Sequence, residues 1–299
     1  MLILSDVDRS SSSAPKTLHL TKVQATGNDF LLLSDPEGLP LLQPHQIAAL
    51  CDRRFGIGAD GVIRVIRSRH IPEGAANLEQ DPTAEWFMDY VNADGSIAEM
   101  CGNGVRAFVR YLIYSGLNPL RVGERIAVGT RAGLRWVERL EEGFRIDMGN
   151  WKITGHHLVK ADGITIKTGL GINLGNPHIV VSLNANELDA LQLGNTPILD
   201  PPAINGANIE FVVTESIEVG RIRMRVSERG VGETLSCGTG SVAAALAARE
   251  WAGGAPHAWE VCIPGGRVQV AMTGGEDERV TLTGPAEVVF DGEFTLPLM

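Results

Sequence analysis

The sequence predicts an α/β protein of the α+β type. It consists of two homologous domains, each a mostly antiparallel sheet wrapped around a central helix, with the candidate active site in the cleft between them. Three observations predict this. A Cys-Gly-x-Gly occurs twice, as Cys101-Gly102-Asn103-Gly104 and Cys237-Gly238-Thr239-Gly240, and a helical stretch follows each at once. Most of the remaining chain reads as short strands bounded by turn residues. The length, 299 residues, accommodates two domains of ordinary size. The expected division is residues 1–146 plus 284–299 for the first domain, carrying Cys101, and 147–283 for the second, carrying Cys237.

In chain order, residues 5–16 are polar and serine-rich and read as a mobile leader. Leu18 to Val23 is the first strand. A Gly27-Asn28-Asp29 turn leads into the apolar run Leu31-Leu32-Leu33. Gln43 to Arg53 reads as a short helix, with Pro44 suited to its first turn. Gly56-Ile57-Gly58-Ala59-Asp60-Gly61 is a glycine-rich loop before a strand over Val62 to Ile66; it matches the dinucleotide fingerprint in spacing, but it opens a strand instead of a helix. Trp86 to Val91 alternates and ends on Asn92-Ala93-Asp94-Gly95, a turn. Val105 to Tyr114 is helical in pattern, and strands dominate from Ile126 to Val181. Residues 184–207 read as a connection, Asn208 to Thr214 and Arg221 to Val226 as strands, and Ser241 to Trp251 as an alanine-rich helix stopped by Gly253-Gly254.

Composition removes several classes of function. A net charge of −10 argues against nucleic acid or an anionic membrane as partner, since phosphate binding needs clustered Lys and Arg. No apolar run approaches the ~18 residues of a membrane helix, and no secretory signal opens the chain. Four cysteines without a C-x-x-C pair make neither a disulfide framework nor a zinc pattern. They read as reduced thiols of a cytoplasmic protein, with no metal. Cys51, near a helix end, and Cys262, in a strand, read as small buried hydrophobes.

Cys101 and Cys237 read differently. A helix N-terminus leaves N–H groups unpaired and carries partial positive charge, so a cysteine there is expected to have a lowered pKa and the turn beside it to accept a carboxylate. Two such elements facing each other place two thiols around one anion. That arrangement suits inversion at the α-carbon of an amino acid, where one group removes a weakly acidic hydrogen and another returns one on the opposite face, while aimed N–H donors stabilise the enediolate. The same thiols, if oxidised to a disulfide, would carry no proton, and activity would be lost. Asn28, Asn92, Asn103, Asn176 and Asn208 fall in loops or at strand ends, where each alone is a turn former. Glu228-Arg229 precedes Cys237 in a glycine-rich stretch, and His178 follows Asn176-Pro177.

From about Leu18 to the C-terminus the chain resembles the diaminopimelate epimerases. The resemblance rests on Gly27-Asn28-Asp29-Phe30, Asn92-Ala93-Asp94-Gly95-Ser96, Cys101-Gly102-Asn103-Gly104-Val105-Arg106, Gly175-Asn176-Pro177-His178 and Glu228-Arg229-Gly230-x-Gly232-Glu233-Thr234, running on to Cys237-Gly238-Thr239-Gly240. It implies interconversion of LL- and meso-diaminopimelate without a cofactor, in lysine and peptidoglycan precursor synthesis, by a homodimer. It implies Cys101 and Cys237 as the acid/base pair. Asn28, Asn92, Asn208, Glu228 and Arg229 would read the distal end of the substrate. Gly102, Asn103, Gly238 and Thr239 would hold the reacting carboxylate, with Asn176 and His178 at the border of the reacting centre. Where some members carry a substrate-contacting glutamine, this chain has Gly61.

Overall fold

The computed structural model describes residues 17–38, 42–275 and 277–296, so the leader expected over residues 5–16 lies outside the described residues. The first half contains β1 (Thr17–Ala25), β2 (Asn28–Ser34), α1 (Pro44–Cys51), β3 (Gly61–Arg67), α2 (Pro72–Gln80), β4 (Trp86–Asn92), α3 (Gly102–Tyr114), β5 (Arg125–Gly129), β6 (Arg135–Arg139) and β7 (Phe144–Asp147). The second contains β8 (Lys152–Lys160), β9 (Lys167–Asn173), β10 (Pro177–Ser182), α4 (Ala185–Ala190), β11 (Ile198–Asp200), β12 (Asn208–Ser216), β13 (Arg221–Glu228), β14 (Gly232–Thr234), α5 (Gly238–Trp251), β15 (Ala258–Ile263), β16 (Gly266–Met272), β17 (Val280–Gly284) and β18 (Glu287–Thr295).

The two halves repeat one pairing scheme. Along β1-β2-β3-β4-β5-β6-β7 successive pairs are antiparallel, parallel, antiparallel, parallel, antiparallel and antiparallel. Along β9-β10-β12-β13-β15-β16-β17 the succession is the same. Parallel neighbours need a crossover, and in both halves the second crossover carries the cysteine helix: α3 between β4 and β5, α5 between β13 and β15. The equivalent strands β7 and β17 pair antiparallel and join the halves into one sheet system. β8 pairs with β9 inside the second half, whereas the last strand, β18, returns to the first half and pairs with β1.

Each sheet buries its helix. In α3, Val105, Phe108, Val109 and Leu112 are fully buried at helical spacing. In α5 the run Val242 to Ala248 is buried on every side, as expected of a helix without a polar face. Its alanines let the surrounding sheet approach closely. One core of buried side chains extends from α3 through Ile146 and Leu282 of the β7–β17 seam to α5.

The structure departs from the sequence reading in three places. Helix α2 was not anticipated, because it buries only Gly74 and Asn77 and so carries no apolar stripe. The stretch read as a connection over residues 184–207 holds α4, with an Asn184–Glu187 capping box, and the three-residue β11. Both cysteine helices begin three residues earlier than the apolar pattern indicates, at Gly102 and Gly238. Among the described residues no helix is long and apolar enough to cross a membrane.

Candidate active site

The two cysteines occupy the same structural position. Cys101 is the N-cap of α3, with extended backbone (φ −141°, ψ 121°), and Cys237 is the N-cap of α5 (φ −122°, ψ 116°). The third N–H of each helix, from Gly104 and from Gly240, donates to the capping sulfur at 3.4 Å. Sulfur thus takes the role that a Ser or Asp oxygen usually fills, which is why the helices start at the glycines. The φ angles of these glycines are not positive, and they form the first helical turns. The glycines serve close approach. A Cβ on Gly238 would stand 3.4 Å from Gly102 Cα, so the two helix ends meet backbone to backbone. A Cβ on Gly240 would fall 2.6 Å from Glu210 Oε1. The first-turn N–H groups without intrahelical partners are therefore concentrated where the helices converge.

Beneath that junction lies a buried polar knot that the sequence did not reveal. Asn103 Nδ2 donates to Ser236 O (3.1 Å), Ser236 Oγ (3.0 Å) and Asn28 Oδ1 (3.3 Å). Arg106 Nη2 donates to Asn103 Oδ1 (2.8 Å) and Thr26 Oγ1 (3.1 Å), and Thr26 Oγ1 lies 2.7 Å from Ser236 Oγ. Ser236 adjoins Cys237 and Asn103 follows Cys101 by two residues, so these bonds hold the cysteine elements in fixed register. Thr26 has φ +52°, the one positive value at a non-glycine residue among those described. Its position directly before Gly27 in a tight turn was the only available signal.

Around Cys101, Asn28 Oδ1 lies 3.6 Å from Sγ, while Asn28 Nδ2 donates to Asp60 Oδ2 at 2.5 Å. Arg53 in turn bridges Asp60 and Asp29. Asn92 faces Gly61 across the β3–β4 pair, and its amide donates to Ser96 Oγ. A side chain at position 61 finds no room here: a Cβ on Gly61 would lie 2.5 Å from Val91 O. Around Cys237, Thr239 Oγ1 is 3.7 Å from Sγ and accepts from Asn176 Nδ2 at 3.3 Å. His178 and Glu210 are fully buried, with Nδ1 2.7 Å from Oε1, while His178 Nε2 and Glu210 Oε2 have no hydrogen-bond partner. Asn208 Oδ1 accepts the N–H of Arg229. Glu228 and Arg229 do not act as one ion pair. Glu228 is largely buried and hydrogen-bonds Thr234 and the Cys237 thiol, whereas Arg229 is exposed and donates to Asn205 O. Cys51 is buried as expected; Cys262 is only partly so.

The expected lowering of the thiol pKa values does not occur. Burial pushes Cys101 up to about 11; the N–H of Gly104 pulls it down, and the charge of Glu228 raises it again. Cys237 is raised well above the ordinary thiol value, first by burial and then by the charges of Glu228 and Glu210. The helix ends act in the anticipated direction, but desolvation of the anion outweighs them. Burial likewise raises Glu228. Among the described residues no group of three or more His, Cys, Asp or Glu side chains converges as a metal-ligand set. A groove of about 520 Å³ along the β7–β17 seam is lined by Arg125, Trp136, Arg145, Asp147 and Thr281 among others, and by neither cysteine. Its Arg145 and Arg279 are already paired, with Glu138 and Asp147.

Solved structures share this fold. A PhzF-family phenazine biosynthesis protein of Bacillus anthracis superposes with TM-score 0.66 at 18% identity, covering 93% of this chain and 99% of its own. A hydroxyproline epimerase of Agrobacterium vitis, with bound trans-4-hydroxy-L-proline, gives 0.64 at 14% identity, covering 94% and 93%. The chain thus has the fold of two homologous domains that these proteins share. The diaminopimelate epimerase profile matches residues 20–154 and 171–289. Diaminopimelate epimerases of Corynebacterium glutamicum (43% identity over 93% of this chain and 98% of theirs) and Thermobifida fusca (44%, 93% and 98%) are similar along nearly the full length. The chain belongs to the diaminopimelate epimerase family.

Proposed function

We propose that the protein interconverts LL-2,6-diaminopimelate and meso-diaminopimelate without a cofactor, by proton transfer between Cys101 and Cys237, in lysine and peptidoglycan precursor synthesis. The observation that carries the reading is the matched pair of capping cysteines on helices that meet at Gly102 and Gly238. The substrate carboxylate lies on the converging N–H groups of Gly102, Asn103, Gly238 and Thr239. One sulfur, as thiolate, takes the α-hydrogen. The C–H electron pair moves into the enediolate, which those N–H groups and helix ends stabilise. The other sulfur, as thiol, returns a proton to the opposite face.

The difference between their surroundings supports one division of roles. Cys237 faces two carboxylates, Glu228 and Glu210, and keeps its proton as the acid. The field at Cys101 includes the cation of Arg106, and Cys101 is the base toward the LL isomer. Asn28, Asn92, Asn208, Glu228 and Arg229 bind the distal amino acid end, and buried polar partners of this kind penalise ligands that lack it. Asn176 supports Thr239, and His178 borders the Cys237 side. The protein acts as a cytoplasmic homodimer, which sedimentation at twice the chain mass would establish.

The test is proton exchange in D2O with LL-diaminopimelate and reduced, pyridoxal-phosphate-free protein. Deuterium entering one α-position while meso product accumulates supports the reading. Absence of exchange with both thiols titrated as reduced, together with exchange of proline or hydroxyproline, transfers the chain to the racemase side of the fold.

A further inference from the structure

Arg106 is the one charged group inside the knot beneath the two helix ends, and it is completely buried. Three other shielded arginines pair with carboxylates: Arg64 with Asp35 and Asp89, Arg131 with Asp89 and Glu73, Arg249 with Glu278. The partners of Arg106 are all neutral, namely Asn103 Oδ1, Thr26 Oγ1 and, through Nε at 3.2 Å, the carbonyl of Pro285. Its Nη1 is buried and has no hydrogen-bond partner among the described residues. The pocket is shaped around the guanidinium, since a Cβ on Gly284 would press on Cζ and Nε at 3.3 Å. A buried cation without a counter-charge is costly, and a fold that retains one gains only when negative charge forms nearby. Asn103 joins this cation to Cys101: the Asn103 amide that Arg106 holds donates to Asn28 Oδ1, which lies 3.6 Å from the Cys101 sulfur, the acidic group whose charge acts on Arg106.

We propose that Arg106 is the resident counter-charge for Cys101, a positioning residue that favours the thiolate and fixes the Asn103 amide without touching substrate. In the free protein the cation is uncompensated. Compensation arrives when Cys101 ionises and persists as charge passes to the enediolate, so the interaction is stronger along the reaction than before it. The other charged or titratable groups acting on Cys101 are Glu228 from β13 and Tyr90 from β4, and both oppose ionisation or are neutral. The catalytic part of this inference rests on the proposed epimerisation; the thiolate part does not.

The test is the pH dependence of Cys101 alkylation by iodoacetamide, followed by peptide mass, in the native protein, Arg106→Lys and Arg106→Met. In this reaction the thiolate forms a C–S bond and iodide leaves, so the rate reads ionisation without any substrate. We expect Arg106→Met to slow alkylation at pH 8 about tenfold, the equivalent of one pKa unit. Arg106→Lys should keep most of the native rate at neutral pH and fall behind as the buried lysine discharges. With diaminopimelate, Arg106→Lys should lower kcat and leave KM nearly unchanged. Native alkylation by a folded Arg106→Met protein overturns the proposal. If that variant does not fold, an Arg106→Lys profile that overlays the native one up to pH 10 overturns it equally. Lack of diaminopimelate turnover in the native protein, with the alkylation shift intact, defeats the substrate reading alone.

Discussion

Cys101 and Cys237 cap their helices, and either sulfur can take up a proton only after its own has left. Because burial holds Cys101 near 11 and raises Cys237 well above the ordinary thiol value, the free protein stores two thiols, and ionisation must be driven by what enters or surrounds the site. Replacing either cysteine by alanine is expected to cut turnover by at least about 10³-fold, the scale of losing an acid/base group, while isothermal titration still detects substrate; unchanged turnover in either variant would end the two-thiol mechanism. The same shifts govern alkaline stability. An unfolded thiol ionises near ~8.5, whereas folded Cys101 holds its proton to about 11 and Cys51 to about 12. Between those values the folded state binds more protons, so stability is full below the unfolded pKa and falls as pH rises through the folded one. The urea midpoint should therefore drop between pH 8 and pH 10.5; a midpoint that is flat or rises over this range contradicts the burial described here.

The cysteine helices show how a glycine can be indispensable without any unusual torsion. Alanine in a helix is favoured over glycine by roughly 1 kcal/mol, so a first-turn glycine looks replaceable. At Gly240 the added methyl would lie 2.6 Å from Glu210 Oε1 and 3.2 Å from Cys237 Sγ. Overpacking of this kind costs about 1–3 kcal/mol and wins over propensity. Gly240→Ala should lower the unfolding free energy and displace the sulfur, with activity falling further than stability. At Gly102 the nearest atom to a new Cβ is Met148 Cε at 3.4 Å, ordinary contact. Gly102→Ala should therefore fold with stability within about 1 kcal/mol of native. Thermal melts of the pair decide the matter: equal losses would show that propensity, and not packing, sets the choice of glycine.

The repeat in strand pairing places both cysteines in equivalent crossovers, and the β7–β17 seam brings those crossovers face to face. We propose that the domain border follows this exchange, with residues 1–146 and 284–299 forming one unit and 147–283 the other. The return of β18 to β1 supports that division. It also gives Arg106 its Pro285 partner, so the C-terminal strand supports the site as well as the sheet. A chain ending at Gly284 should expose the β1 edge, lose cooperativity in denaturant unfolding and show no α-proton exchange; native-like melting of that truncation would refute this role for β18. Because one core runs through both helices, the intact chain should unfold in a single transition.

What was legible in the sequence was local. Turn glycines and alternating apolar residues marked most strands, the alanine run marked α5, and the doubled Cys-Gly-x-Gly marked both capped helix ends, because caps, turns and periodicity act within a few residues. Helix α2 stayed hidden because its contacts do not repeat at helical spacing. The site was legible as a set of residue types and not as an arrangement. Nothing in the order of Thr26, Asn103, Arg106 and Ser236 says that they share one hydrogen-bonded knot, since they belong to three separated segments that only the packed halves bring together. The thiol pKa values reversed for the same reason. A helix end acts through its own backbone and can be read from the chain, while desolvation comes from everything packed against the sulfur, which only the tertiary structure supplies.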